Sequence, residues 1–170
     1  MRFSKIILAA AALVLAAPAI AGDLKFTATL RGDKEPTNTG SKATGEARIV
    51  VHGDTQTVDV SATVNGIAPS DFATHLAHAP VGPMHLHIYA TNGDVSLLLP
   101  FPMGPEYQAA GGGFTYKRTG YAYAEGAKIV SSTISFDDFV NAMRSGAVVF
   151  NIHTNAFGDG EISGKIEVAK

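Results

Sequence analysis

The segment A-T-G-E-A-R-I-V-V-H-G-D-T-Q-T-V-D-V-S-A-T-V, residues 43–64, carries the clearest structural signal in the chain. Gly53-Asp54 near its middle is a strong turn signal, so the parts on either side, 43–52 and 55–64, are predicted to pair as a β-hairpin. In the second part apolar residues alternate with polar ones, which predicts one buried face and one solvent-exposed face. The apolar face carries Val58, Val60, Ala62 and Val64.

Further short strands are predicted on both sides of this hairpin, separated by segments rich in Gly and Pro. They run over 24–30, 84–90, 94–99, 115–124, 147–154 and 161–168, with Asn92-Gly93 as the turn between the second and the third. The segments 66–83 and 100–113 are predicted to be loops. Short strands at regular spacing predict an all-β domain built as a Greek-key β-sandwich.

One helix is predicted, over about 136–144, within S-F-D-D-F-V-N-A-M-R. Ser135 is suited to cap its first turn, where Asp137 and Asp138 would meet the positive end of the helix dipole. Gly146 is suited to end the helix. The sandwich is therefore expected to contain a single short helix.

Residues 1–21 have the pattern of a secretory signal peptide. Arg2 and Lys5 form a positive region before a run of twelve apolar residues, 6–17, and Ala19-Ile20-Ala21 is a small-x-small cleavage site. A retained membrane anchor is the alternative, but a transmembrane helix needs about 20 apolar residues. Cleavage would leave residues 22–170 as one domain in the periplasm or outside the cell.

The mature chain would be mildly acidic, because loss of Arg2 and Lys5 leaves 11 basic against 15 acidic residues, a net charge of −4. No run of Lys or Arg is present, which argues against nucleic acid as a partner. No later segment is long and apolar enough to predict a membrane span. The chain has no cysteine, which excludes disulfides, thiol catalysis and cysteine-based metal centres.

Three segments, in order along the chain, carry a family resemblance. They are F-T-A-T-L-R-G-D-K-E-P at 26–36 with A-T-G-E-A at 43–47, M-H-L-H-I-Y-A-T-N-G-D-V at 84–95, and F-N-I-H-T-N-A-F-G-D-G-E-I-S-G-K-I at 150–166. Together they resemble the CHRD (chordin) domain over nearly all of the mature chain. The chain departs from the family pattern at Ser163, where Arg is usual, and at Lys165, where an amide is common.

The resemblance implies an immunoglobulin-like β-sandwich over residues 22–170. It also implies an exported module, because bacterial CHRD domains are found in exported proteins without an agreed activity. No catalytic residue is transferred by the resemblance. The sequence itself contains no G-x-S-x-G motif and no phosphate-binding loop, so an enzymatic role has no motif to support it.

Three histidines are candidate metal ligands. His85 and His87 lie two apart on one predicted strand, so both rings leave the same face of the sheet. His153 lies in a second strand that ends in N-I-H-T. Imidazole is a common ligand of Cu and Zn. If these residues hold one ion, their ring nitrogens are expected within about 4 Å of one another, since each ligand lies about 2 Å from the ion.

Five further residues are candidates around this cluster. His75 and His78 are either additional ligands or exposed residues of the loop before His85. Glu161 is interpreted either as a carboxylate that orients His153 or as a charge that keeps an edge strand soluble. Asn151 and Thr154 are candidates for the shell that surrounds the ligands.

Three functions stay open at this point. The first is a non-enzymatic exported binding or structural module whose ligand is another exported protein or a small molecule. The second is a periplasmic copper- or zinc-binding protein that uses the three histidines, for which a purely structural polar network is the alternative. The third is a dismutase-like redox enzyme, which needs a metal with an open coordination position.

Overall fold

The computed structural model describes residues 22–34, 36–89 and 94–170. The predicted signal peptide, 1–21, and the predicted Asn92-Gly93 turn lie outside the described residues.

Antiparallel β-structure dominates these ranges. The strands are β1 Asp23–Arg31, β2 Thr44–His52, β3 Thr57–Asn65, β4 Met84–Tyr89, β5 Val95–Phe101, β6 Tyr107–Ala110, β7 Gly113–Ala122, β8 Val148–Ile152, β9 Ile162–Lys165 and β10 Glu167–Val168. They form one hydrogen-bonded sheet in the order β5-β4-β8-β9-β1-β2-β3-β7-β6, and β10 pairs with β1. The prediction of an all-β domain is confirmed at this level, and the Greek-key sandwich stays a prediction.

The predicted hairpin is confirmed as β2 and β3. The two strands pair antiparallel over their whole lengths, from Thr44 opposite Asn65 to His52 opposite Thr57. The four apolar residues predicted on one face of β3 are buried, whereas the polar residues between them are exposed or half-buried. Strand β1 alternates in the same way and pairs with β2 along its length. The local period of two therefore sets which face of this part of the sheet enters the core.

The core forms where the two ends of the sheet meet. Phe101 of β5 stacks on Phe150 of β8, with ring centroids 5.5 Å apart, and lies equally close to Tyr116 of β7. The hydroxyl of Tyr107 in β6 donates to the carbonyl oxygen of Phe101 at 2.7 Å. Since β5 and β6 are the two ends of the strand order, these contacts require the sheet to curl around a shared core.

The predicted helix is confirmed as α3, Phe136–Ser145. The Ser135 hydroxyl accepts a hydrogen bond from the Asp138 backbone N–H at 3.1 Å, and Gly146 ends the helix in a left-handed conformation with φ of 71°. Its buried face carries Phe136, Phe139, Val140, Ala142 and Met143.

The prediction of a single helix is wrong. A 3₁₀ turn at Pro69–Asp71, α1 at Thr74–Ala77 and α2 at Tyr123–Ile129 are also present, and α2 begins inside the strand predicted over 115–124. Helix α2 packs on β5, where Gly126 lies so close to Leu99 that a Cβ atom would overlap its side chain. Tertiary packing has overridden the local alternation here. No helix in the described ranges is long and apolar enough to cross a bilayer.

The prediction of a continuous loop over 100–113 is also wrong. β5 extends to Phe101, and residues 107–110 form β6, which pairs with β7. Gly111 and Gly112 connect the two strands with φ of 51° and 81°, a conformation that glycine adopts without strain. The last part of the predicted loop is therefore a tight hairpin turn.

Candidate metal centre

The candidate ligands lie on two neighbouring strands. β4 carries His85 and His87 and pairs with β8, with His85 opposite Asn151 and His87 opposite Val149. His153 follows directly after β8. On β4 the alternate residues, Met84 and Leu86 among them, belong to the hydrophobic core. The histidine rings therefore leave the sheet on the side opposite the core.

The three rings meet. The ring centroids of His85 lie 4.6 Å from His87 and 4.5 Å from His153, and those of His87 and His153 are 6.0 Å apart. One ring nitrogen from each residue lies within 4.8 Å of the other two. This bound is wider than the expected 4 Å, and two nitrogens on one ion are separated by about 4.2 Å at most. A pair of nitrogens separated by the full 4.8 Å would therefore have to approach by at least about 0.6 Å to share one ion.

Two backbone carbonyls determine the tautomers of His85 and His153. Nδ1 of His153 lies 2.8 Å from the carbonyl oxygen of Gly158, and Nδ1 of His85 lies 3.3 Å from that of Gly82. A carbonyl oxygen only accepts hydrogen bonds, so Nδ1 carries the proton in each neutral ring. The lone pair is then on Nε2, the arrangement that second-shell carbonyls impose on metal-binding histidines.

Burial keeps all three rings neutral at physiological pH. His85 and His153 are only 3% and 7% exposed. Desolvation, helped by the nearby His153 and His87, lowers the pKa of His85 to about 2. Desolvation and His153 lower the pKa of His87 to about 4, and desolvation also lowers the pKa of His153. The neutral imidazole is the form that binds metal.

Several polar atoms of the cluster lack a hydrogen-bond partner within the described part of the chain. They are both ring nitrogens of His87, Nε2 of His153 and Oδ1 of Asn151. Buried polar atoms are almost always paired, because each unpaired one costs about 1–3 kcal/mol. The cluster thus presents buried lone pairs that no described side chain or backbone group satisfies.

The outer residues predicted around the ligands hold the neighbouring loops rather than the rings. The Glu161 carboxylate accepts hydrogen bonds from the hydroxyls of Ser41 at 2.6 Å and Thr154 at 2.7 Å. His153 uses its Nδ1 on Gly158, so Glu161 reaches His153 only through the adjacent Thr154. Asn151 donates to the Asp159 carbonyl oxygen at 3.3 Å. These bonds attach the 154–160 loop and the segment at Ser41 to the edge of the cluster.

His75 and His78 are not brought into the cluster. Both are exposed: His75 lies on α1 and His78 directly after it, where its Nδ1 donates a hydrogen bond to the carbonyl oxygen of Thr74 at 2.7 Å. The thioether of Met84, on the same strand as His85 and His87, is fully buried on the core side of β4 and is not available to the cluster.

Sequence reasoning missed the glycines that support the site. Gly82 and Gly158 supply the carbonyls that orient the rings. Gly160 has φ of 117°, and a Cβ there would overlap the amide of Asn151. The G-D-G run at 158–160 has the composition of a turn, but only its position beside Asn151 and His153 shows that it packs on the candidate site.

The fold and site together define a mainly antiparallel β domain with a buried histidine cluster on the outer side of its sheet. The CHRD domain family matches the chain over residues 26–166, which is most of its length. The chain belongs to this family, as the resemblance indicated. No curated protein and no solved structure matches it.

Proposed function

We propose that this protein is an exported CHRD-domain module that binds one copper or zinc ion through His85, His87 and His153. The observation that carries the proposal is the convergence of three neutral imidazoles, among which both ring nitrogens of His87 and Nε2 of His153 are buried without a partner in the described ranges. Two of the ligands lie on strand β4 and the third follows directly after β8, and strands hold metal sites more accurately than loops do.

A closed polar network is the main alternative, and the hydrogen bonds argue against it. In a closed network the Nε2 lone pair of His153 would accept from a neighbouring donor, and His87 would use at least one ring nitrogen. Neither has such a partner in the described ranges. A cation satisfies several lone pairs at once, whereas neutral rings that face one another with lone pairs do not satisfy each other.

The donor set favours Cu²⁺ or Zn²⁺. Three imidazoles suit both ions, and affinity for nitrogen ligands is usually higher for Cu²⁺. Within the described residues no carboxylate belongs to the cluster, which disfavours Ca²⁺ and Mg²⁺ because these ions prefer oxygen ligands. We therefore expect Cu²⁺ to bind more tightly than Zn²⁺ at equal free concentration.

The wider setting of the proposal is the cell exterior or periplasm. CHRD domains occur in extracellular and exported proteins, and the residues before 22 have the pattern of a signal peptide. We take residues 22–170 as the mature domain, with the immunoglobulin-like Greek-key connectivity that the family resemblance implies. Its role is binding rather than catalysis.

Titration calorimetry with Cu²⁺ and Zn²⁺ on the mature chain tests the proposal. We expect one ion per chain and a loss of binding in the double variant His85→Ala, His87→Ala. The matched control is His75→Ala, His78→Ala, which removes two exposed histidines from the same protein. Binding that persists in the first variant, or that disappears in the control, would show that the ion is held elsewhere.

A dismutase-like redox activity is a second candidate. Its support is that the cluster supplies three ligands, so a metal bound there would have room for a further ligand. Superoxide turnover by the copper-loaded protein, compared with the His85→Ala, His87→Ala variant and with free copper, decides it.

A further inference from the structure

The three candidate ligands are not held equally by the surrounding protein. Nδ1 of His153 donates to the Gly158 carbonyl oxygen at 2.8 Å, and Nδ1 of His85 donates to that of Gly82 at 3.3 Å. Each of these hydrogen bonds fixes the orientation of its ring. Both nitrogens of His87 are buried, and neither has a hydrogen-bond partner in the described part of the chain. His87 is therefore the member of the cluster whose ring is positioned by packing alone.

The backbone of His153 is held on both sides as well. Its N–H donates to the Pro83 carbonyl oxygen at 2.9 Å, and its carbonyl oxygen accepts from the Ala73 N–H at 3.2 Å. The ring centroids of His85 and His153 lie 4.5 Å apart, with 31° between the ring planes, which is the shortest ring separation in the cluster. His85 and His153 thus form a pair whose rings are oriented before any ion binds.

Apolar side chains lie beside His87 in the sheet. The strand register places it opposite Val149 of β8 and Leu97 of β5, and the Tyr89 ring centroid is 6.0 Å from its own. The pairing of β4 with β5 is irregular between Leu86 and His87, and β5 lies at one end of the strand order. A bulge disrupts the hydrogen-bond ladder locally, so the backbone at His87 is less restrained on this side.

A metal ligand without such a hydrogen bond binds more weakly. The group that accepts from the second ring nitrogen orients the imidazole and raises its basicity, and its loss typically costs about 10- to 100-fold in metal affinity. Backbone carbonyls give this support to His85 and His153, whereas His87 has to be oriented by the ion itself. The entropy lost in ordering its ring then opposes part of the gain from a third ligand.

We propose that His85 and His153 are the permanent ligands of the site and that His87 is its labile ligand, which binds the ion last and leaves it first. This inference rests on the metal site proposed above and adds how that site takes up and releases its ion. Dissociation of His87 leaves a coordination position for an incoming donor group, so the ion is transferred through this position.

Three matched single variants test this order of binding: His85→Asn, His87→Asn and His153→Asn. The amide nitrogen of asparagine lies close to the place of Nδ1 in histidine, so it still donates to the neighbouring carbonyl oxygen while the nitrogen that would bind the ion is removed. Cu²⁺ affinity is measured by competition with a chelator of known affinity. Urea unfolding of each metal-free variant verifies that it is folded.

The matched control is His78→Asn. Nδ1 of this exposed histidine also donates to a carbonyl oxygen, that of Thr74, but outside the cluster. We expect the control to bind Cu²⁺ with the affinity of the wild-type protein. His87→Asn should still bind, with affinity lowered by about 10- to 100-fold and with faster release of copper to the chelator. His85→Asn and His153→Asn should each lose at least about tenfold more.

Nitrogen NMR of the metal-free protein tests the cause without any ion. His85 and His153 should each show one neutral tautomer, with the proton on Nδ1, because a carbonyl oxygen accepts from that atom. His87 should exchange between its two neutral tautomers, because neither nitrogen has a partner that selects one of them.

Three results would overturn the inference even if the wild-type protein binds copper. They are equal losses of affinity in the three cluster variants, an unchanged affinity in His87→Asn, and a single fixed tautomer of His87 in the metal-free protein. Failure of the wild-type protein to bind copper at all would instead remove the proposed function, and this inference with it.

Discussion

Acidification should destabilise the metal-free protein through its histidine cluster. In the unfolded chain an imidazole titrates near pH 6.5, whereas in the folded protein the pKa values of His85 and His87 are lowered to about 2 and about 4. Between pH 6.5 and those values the unfolded chain binds more protons than the folded one. The free energy of unfolding therefore falls as the pH falls through this window.

The magnitude follows from the width of the window. Each unit of pH below 6.5 costs about 1.4 kcal/mol for each such histidine. From pH 6.5 to pH 5 this is about 2 kcal/mol for each residue and on the order of 4 kcal/mol for His85 and His87 together. The lowered pKa of His153 acts in the same direction.

Urea unfolding in the presence of a chelator, at intervals from pH 5 to pH 8, measures this effect. The comparison is between the wild-type protein and the double variant His85→Gln, His87→Gln, which should lose less stability on acidification. The double variant His75→Gln, His78→Gln serves as control, because both residues are exposed. Parallel pH profiles for the wild-type protein and the cluster variant would refute the reasoning, since the carboxyl groups contribute alike to both.

Three further outcomes follow from the structure. Zn²⁺ at 100 times its dissociation constant should raise the free energy of unfolding, measured with urea, by about 2.7 kcal/mol. A chelator should reverse this gain, and an unchanged urea midpoint would contradict binding to the folded state. Gly160→Ala should destabilise the protein by about 1–3 kcal/mol, because it strains a positive φ and crowds Asn151, whereas Gly158→Ala, with open space around it, should cost under about 0.5 kcal/mol in the same assay. His52→Gln should lower the free energy of unfolding by less than about 1 kcal/mol at pH 5.5 and should leave it unchanged at pH 8. Hydrogen bonding to Asp23, and to a smaller extent to Asp59, raises the pKa of His52 in the folded protein. The stabilisation by the protonated ring is therefore complete below pH 6.5 and is lost as the pH rises through the folded-state pKa. Equal destabilisation at both pH values would show that His52 acts through packing.

Local sequence patterns predicted the structure correctly where the conformation of a segment depends mainly on its own residues. The alternation in 55–64 identified the buried face of β3, because successive side chains of a strand point to opposite sides. Ser135 and Gly146 marked the ends of α3, because capping depends on a few adjacent backbone groups. The two-residue spacing of His85 and His87 placed both rings on one face for the same reason.

The same patterns failed where distant packing determines the outcome. The Y-A-Y-A alternation at 121–124 predicted a strand, but contact of Gly126 with β5 allows a helix from Tyr123 onward. Residues 107–110 lie in a segment rich in Gly and Pro. They form a strand because their backbone pairs antiparallel with β7.

The sequence by itself therefore determined the class of the domain, the main hairpin, the helix α3 and the identity of the three candidate ligands. These depend on periodicity and on residue type, which are local properties. Only the tertiary structure decided that His153 lies against His85 and that the Gly82 and Gly158 carbonyls orient the rings. Those relations depend on the order and register of β4, β8 and β9, which are settled by long-range pairing and burial rather than by any single segment.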